Sequence, residues 1–156
     1  MSNWPDKRFI ELVGCEHPII QAPMANAGGV ELAVAAMGGG ALGSLPCGML
    51  TDSQIIEQVA EVRSRTSGPL NLNFLCHRMP ERGDDIAWRD LLAPYYEALG
   101  IEPAGPGPMR LPFDDAACTA VEWVKPEVVS FHYGLPSERL RDRVRAIGAI
   151  ILSSAT

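Results

Sequence analysis

The sequence predicts an α/β fold built on a parallel sheet, and three observations carry that expectation. Short apolar runs rich in β-formers alternate with helical patterns along the 156 residues. The runs are nearly continuous in apolar character, as strands covered on both faces are. Each run ends in residues unusual for a strand, at the place where parallel α/β folds gather functional groups.

Pro18-Ile19-Ile20-Gln21-Ala22-Pro23-Met24 reads as a buried strand closed by a proline. Val30 to Met37 is a small-residue helix ended by Gly38-Gly39-Gly40. Ala41-Leu42-Gly43-Ser44-Leu45 is a second strand, and its glycine implies that something packs closely on the backbone. Thr51-Asp52-Ser53-Gln54 fits a capping box. The helix it opens places Ile55, Ile56, Val59 and Val62 on one face, and Ser67-Gly68-Pro69 stops it. Leu70 to Leu75 is a third strand, whose period of two points Asn71 and Asn73 the same way.

Residues 77 to 113 break the rhythm. The stretch contains Pro103-Ala104-Gly105-Pro106-Gly107-Pro108 and a helix from about Asp85 to Leu99 that Pro94 interrupts. A structureless loop of that length is uncommon in a compact domain, so about 78–113 reads as an insertion. Asp114 then caps a helix with Ala117, Val121 and Val124 inward. Glu127 to His132 is a fourth strand, and Ser137 to Ile147 a helix with Leu140, Val144 and Ile147 inward. Ala149 to Ser154 is a fifth strand.

Two architectures accommodate this order: an open doubly wound sheet and a (β/α)8 barrel. A barrel takes eight units and roughly 250 residues, so length alone favours the open sheet. No dinucleotide fingerprint supports it, because Gly38-Gly39-Gly40 follows a helix and precedes a strand. Neither a Walker A sequence nor a Gly-x-Ser-x-Gly elbow is present.

Composition narrows the function. Apolar residues make up 47% and charged residues 21%, with a net charge of -6, as in an ordinary globular domain. The one dense basic cluster, Arg139, Arg141, Arg143 and Arg145, alternates with Glu138 and Asp142. That pattern is a solvated helix face rather than a nucleic-acid footprint. No apolar run approaches the ~20 residues of a membrane span, and Met1 to Arg8 lack a signal peptide's apolar stretch. Cys15, Cys47, Cys76 and Cys118 form no Cys-x-x-Cys pair, so free thiols in a reducing cytoplasm are expected. Adjacent Cys76 and His77 are two ligand types without a second pair, and no metal site is expected there.

The strand ends collect Met24, Ser44, Asn73, His77, His132 and Ser153 on one expected rim. Histidines at such a rim are candidates for proton transfer or for stabilising an anion.

Five segments in order resemble the nitronate monooxygenases, formerly called 2-nitropropane dioxygenases. They are Pro18 to Asn26, Gly39 to Leu45, Asn71 to His77, Pro126 to Pro136 (containing Ser130-Phe131-His132-Tyr133-Gly134) and Leu152 to Thr156. The resemblance covers the chain from about Phe9 and includes the insertion after the third strand. It implies an FMN-dependent (β/α)8 barrel of the TIM type, of which this chain supplies about the first five strands. It further implies oxidation of alkyl nitronates by O2 to a carbonyl compound and nitrite, with His132 catalytic. Ala22, Pro23, Met24 and Asn73 match family positions that contact FMN, while Asn71 lies one step deeper. Ser44, Cys76 and His77 share the rim without an assigned role, and Met37, Met49, Met79 and Met109 are expected to be packing or surface residues.

Two alternatives stay open at this level: an FMN-dependent NAD(P)H enoyl or quinone reductase of the same superfamily, and a non-catalytic half-barrel. The family's glycine-rich phosphate loops after strands seven and eight have no counterpart among these residues. Residues 1 to 156 alone are therefore expected to bind FMN poorly and to self-associate through open edges, with inward residues such as Ile19, Leu72 and Val129 short of packing partners.

Overall fold

Where each strand lies relative to the next decides between the two architectures. A computed structural model of the chain describes residues 4–79, 85–103 and 110–154. Four parallel strands, β1 (Gly43–Pro46), β2 (Leu70–Leu75), β3 (Val128–His132) and β4 (Ile150–Ser153), pair in the order β1-β2-β3-β4. Ile20 adds a parallel bridge to Leu42 beyond β1. Each strand thus lies beside its successor, with no reversal of direction across the sheet. A doubly wound sheet reverses at a switch point, whereas stepwise progression is the pattern of a (β/α) barrel. The chain forms part of such a barrel, and the length argument for an open sheet is overruled.

The helices are α1 (Arg8–Val13), α2 (Val30–Gly38), α3 (Asp52–Arg65), α4 (Ile86–Leu99), α5 (Asp115–Val124) and α6 (Glu138–Ala146). The capping box at α3 is present: the Gln54 N–H donates to Thr51 Oγ1 at 3.3 Å, and the Thr51 N–H donates to Gln54 Oε1 at 2.9 Å. Asp114 Oδ1 accepts the Ala117 N–H at 2.9 Å and opens α5. The basic cluster on α6 faces its neighbour: Arg143 pairs with Glu122 at 2.6 Å and Asp115 at 2.8 Å, and Arg139 pairs with Asp115 at 2.6 Å. Exposed pairs of this kind contribute at most about 1 kcal/mol each, so they orient α6 on α5 more than they stabilise it.

Two faces follow from the strand period of two. Leu45, Leu72, Phe74, Val129 and Phe131 point toward the helices and pack with Met37, Ile55, Val59, Val62, Cys118, Val121, Leu140 and Val144. The opposite face begins apolar, with Leu42 and Val128 against Val13 and Phe9 of α1. It continues polar, through Ser44, Asn71 and Asn73. Leu72 and Val129 are therefore not inward residues short of partners: both are fully buried on the helix side. Ile19 is 52% exposed, as expected of an edge.

The first expected strand is the main departure. Pairing there stops after Ile20, because Pro23 has no N–H for the ladder and the chain turns at Met24 to Gly28. Helix α1 was not foreseen, since six residues are too few to display a period.

Contacts divide the chain into Met1–His77 with Arg110–Thr156, and Arg78–Met109. The second unit contains α4, which runs through Pro94 rather than breaking there; the proline's fixed φ is helical, and only one backbone bond is lost. Most of the proline-glycine run at 103–108, Met109, and Ala155 and Thr156 of the last motif lie outside the described residues.

Gly43 shows how closely α2 lies on the sheet. A Cβ there would sit 2.6 Å from Met37 Cγ and 2.8 Å from the Ala33 carbonyl oxygen. Gly43→Ala is expected to destabilise the fold by about 1–3 kcal/mol in urea unfolding. Gly38→Ala, with open space around its Cβ, should be neutral or stabilising. Equal stability of the two variants would contradict this packing.

Candidate active site

Strand register brings the polar side chains together. Ser44 is level with Asn71, Pro46 with Asn73, Asn73 with Ser130, and Leu75 with His132. Two rungs of side-chain hydrogen bonds result. Asn71 Nδ2 donates to Ser44 Oγ at 3.0 Å, and Asn73 Nδ2 donates to Ser130 Oγ at 2.8 Å. Asn71 is 1% exposed and its Oδ1 lacks a hydrogen-bond partner among the described residues. Such buried amides are costly unless paired, so these rungs fix the strands' relative height.

His132 ends β3 and is held from three sides. Its carbonyl accepts the Cys76 N–H at 2.8 Å, continuing the ladder from β2. Its Nδ1 lies 2.9 Å from the Ser154 hydroxyl. Directly after it, Tyr133 and Gly134 adopt left-handed backbone at φ 66° and 113°, which turns the chain sharply off the strand. A tyrosine in that region is strained, and such strain concentrates at functional positions.

Pro23, Asn73 and His132 line one cleft of about 140 Å³ together with Pro46, Leu75 and Arg110. Ala22 and Met24 flank Pro23 in the chain, and both are exposed, Met24 at the start of a turn closed by the Gly28 N–H on its carbonyl at 2.6 Å. Larger clefts lie near Trp4, Phe9 and Leu12 (about 550 Å³) and near Gly28, Gln54 and Glu61 (about 440 Å³). Of the three, the rim cleft alone combines a histidine, an amide and an arginine with apolar walls.

The expected rim is revised in three places. Ser44 is fully buried one rung below, in the interior rather than on the rim. Ser153 belongs to the other strand face and bonds the Gly134 carbonyl, while Ser154 meets His132. His77 is half-buried beyond β2 and does not line the cleft. Ser130 was missed although the alternation that selects His132 selects it too, and Ser154 was missed because only the register of β4 on β3 brings it to His132. Arg110 carried no signal, since only the chain's return from the excursion places it there.

All four cysteines are free. Burial pushes the Cys76 thiol up to about 11 and the Cys47 thiol up to about 12, so neither is a ready nucleophile at neutral pH. Cys76 should alkylate on the order of a hundredfold slower than free cysteine at mildly alkaline pH, as read by peptide mapping after iodoacetamide. Labelling at the free rate would mean that the thiol is activated and belongs to the chemistry.

Comparison with known proteins fits this geometry. The family described as nitronate monooxygenase matches residues 6–156. The nitronate monooxygenase of Paraburkholderia phytofirmans is 36% identical over 167 residues, covering 100% of this chain and 44% of that protein. That of Pseudomonas aeruginosa is 36% identical over 153 residues, covering 92% and 41%. Among solved structures, nitroalkane oxidase from Streptomyces ansochromogenes superposes with a TM-score of 0.81 at 30% identity, over 95% of this chain and 42% of that one. FabK from Thermotoga maritima, at 22% identity and a TM-score of 0.64 over 94% of this chain and 36% of that one, shares the fold. The chain thus spans less than half the length of these relatives. By its match over nearly every residue, the chain belongs to the nitronate monooxygenase family.

Proposed function

We propose that this chain contributes the opening strands of an FMN-dependent (β/α)8 barrel that oxidises alkyl nitronates with O2, releasing a carbonyl compound and nitrite. In this reading about 78–113 is an insertion in that barrel. The observation that carries it is the meeting of Pro23, Asn73 and His132 in one cleft at the carboxyl ends of parallel strands, within a chain of this family.

The cleft's chemistry suits a flavin edge. Pro23, Pro46 and Leu75 offer apolar surface to a planar ring, while the Asn73 amide offers hydrogen bonding to its polar rim. A volume of about 140 Å³ is below that of a complete ligand pocket, so these residues form one wall of the site. Ala22, Pro23 and Met24 would lie against the ring, the Met24 thioether giving a soft contact. Bound FMN would supply the electron transfer between nitronate and dioxygen.

His132 has the groups the substrate needs. A nitronate is an anion with its charge on oxygen. When the Ser154 hydroxyl donates to Nδ1, the ring carries its proton on Nε2 and can donate to a nitronate oxygen. When Nδ1 donates to Ser154, Nε2 is free to take the α-proton of a neutral nitroalkane. The Ser154 hydroxyl, able to donate or accept, can partner the ring in either task.

Among the described residues no helix is long and apolar enough to cross a membrane. A reducing cytoplasm is the compartment that four free thiols fit.

In the full-length protein, His132→Ala is expected to lower nitronate turnover by a factor on the order of 10² or more while FMN stays bound. Near-normal turnover would remove His132 from the mechanism. Anaerobic bleaching of the flavin by NADH, with no oxygen uptake on nitronates, would replace the reading with an NAD(P)H-dependent reductase.

A further inference from the structure

Gln21 stands where the parallel ladder between the first segment and β1 fails. The Leu42 N–H donates to the Ile19 carbonyl at 3.0 Å, and the Gln21 N–H donates to the Leu42 carbonyl at 2.9 Å. One step further, a regular ladder would send the Ser44 N–H to the Gln21 carbonyl and the N–H of residue 23 to the Ser44 carbonyl. Residue 23 is proline and has no N–H. The Ser44 N–H instead donates to the side chain of Gln21, at Oε1, at 2.7 Å. The other end of the same amide, Nε2, donates to the Ala22 carbonyl.

One side chain thus bridges a buried strand amide and the backbone of the rim. Ser44 is fully buried, so its N–H would be left unpaired without Gln21. Ser44 Oγ in turn accepts from Asn71, which connects the bridge to β2. The turn after the rim segment also packs on this amide: a Cβ at Gly28 would lie 3.5 Å from Gln21 Nε2 and 3.2 Å from the Met24 carbonyl oxygen.

We propose that Gln21 is the positioning residue of the rim segment Ala22-Pro23-Met24, its side-chain oxygen taking the Ser44 N–H in place of the Gln21 carbonyl where the ladder ends, and its Nε2 holding Ala22, which sets that segment's height relative to Asn73. The task requires one acceptor and one donor on the same short fork, which glutamine supplies and which neither an ionised glutamate nor an apolar isostere does. What the segment is positioned for rests on the flavin reading above.

The test compares Gln21→Glu and Gln21→Met in the full-length protein with two readouts. Amide hydrogen exchange at Ser44 and Gly28 without flavin reports the bridge itself. FMN affinity from flavin fluorescence quenching, taken as a ratio to wild type at each pH, reports its consequence. Gln21→Met is expected to raise Ser44 exchange and to weaken FMN binding about tenfold at every pH. Gln21→Glu should keep Ser44 protected, because its carboxylate still accepts that N–H, yet weaken FMN binding near pH 8 as Gln21→Met does, and should approach wild type only toward pH 4 and below, where a carboxyl (about 4.3 in a free glutamate) takes up the proton it can donate to Ala22. Disruption of the fold would weaken both variants at every pH and show no such recovery. A pH-independent ratio for Gln21→Glu, or wild-type exchange at Ser44 in Gln21→Met, overturns the proposal. Wild-type protein that binds no FMN would overturn the flavin reading, with the exchange result still deciding the role of Gln21.

Discussion

The rim depends on one constraint, the shared register of β2 with both of its neighbours. Leu70 to Phe74 alternates apolar and amide side chains, and the strand pairs with β1 through Leu70 to Asn73 and with β3 through Asn71 to Leu75. Leu70, Leu72 and Phe74 enter the helix-covered core. That burial selects one phase, since a slip by one residue would put Asn71 and Asn73 among Val59, Val62 and Val121. With the phase set, the two asparagines bond Ser44 on one side and Ser130 on the other. His132 then falls at the rim because it sits two residues after Ser130 on the same face.

The two faces divide the work. The helix side supplies most of the apolar burial, including the ring contacts of Phe74, Phe113 and Phe131 at 4.8 and 5.1 Å. Phe113 joins that core where the chain returns from the excursion, its N–H bonded to the Leu75 carbonyl at 2.8 Å. The other face is closed at its lower end by α1 on Leu42 and Val128. Toward the rim it becomes polar, which costs stability but leaves amide, hydroxyl and imidazole groups at the strand ends.

Much of this was legible in the sequence because it is local. Period two in β2, the capping box at Thr51, the cap at Asp114 and the close approach at Gly43 are each written within a few residues. What was not legible depends on groups far apart in the chain. The first strand looked continuous from Pro18 to Met24, yet Pro23 has no N–H to give the Ser44 carbonyl, and the Ser44 N–H goes to the Gln21 side chain instead of the Gln21 carbonyl. Ser154 rather than Ser153 meets His132 because strand phase, not proximity in sequence, decides the contact. Length pointed to an open sheet while the family resemblance implied a barrel, and the stepwise pairing of β1 through β4 fits the barrel.

The central claim is that the carboxyl-end rim of this sheet, around Pro23, Asn73 and His132, is the ligand face. Hydrogen-exchange mass spectrometry of the full-length protein with and without FMN tests it directly. Within this chain, added protection should concentrate in the peptides that carry residues 20–24, 71–75 and 128–133. Protection confined instead to the N-terminal cleft around Trp4, Phe9 and Leu12, with those three segments unchanged, would contradict the account.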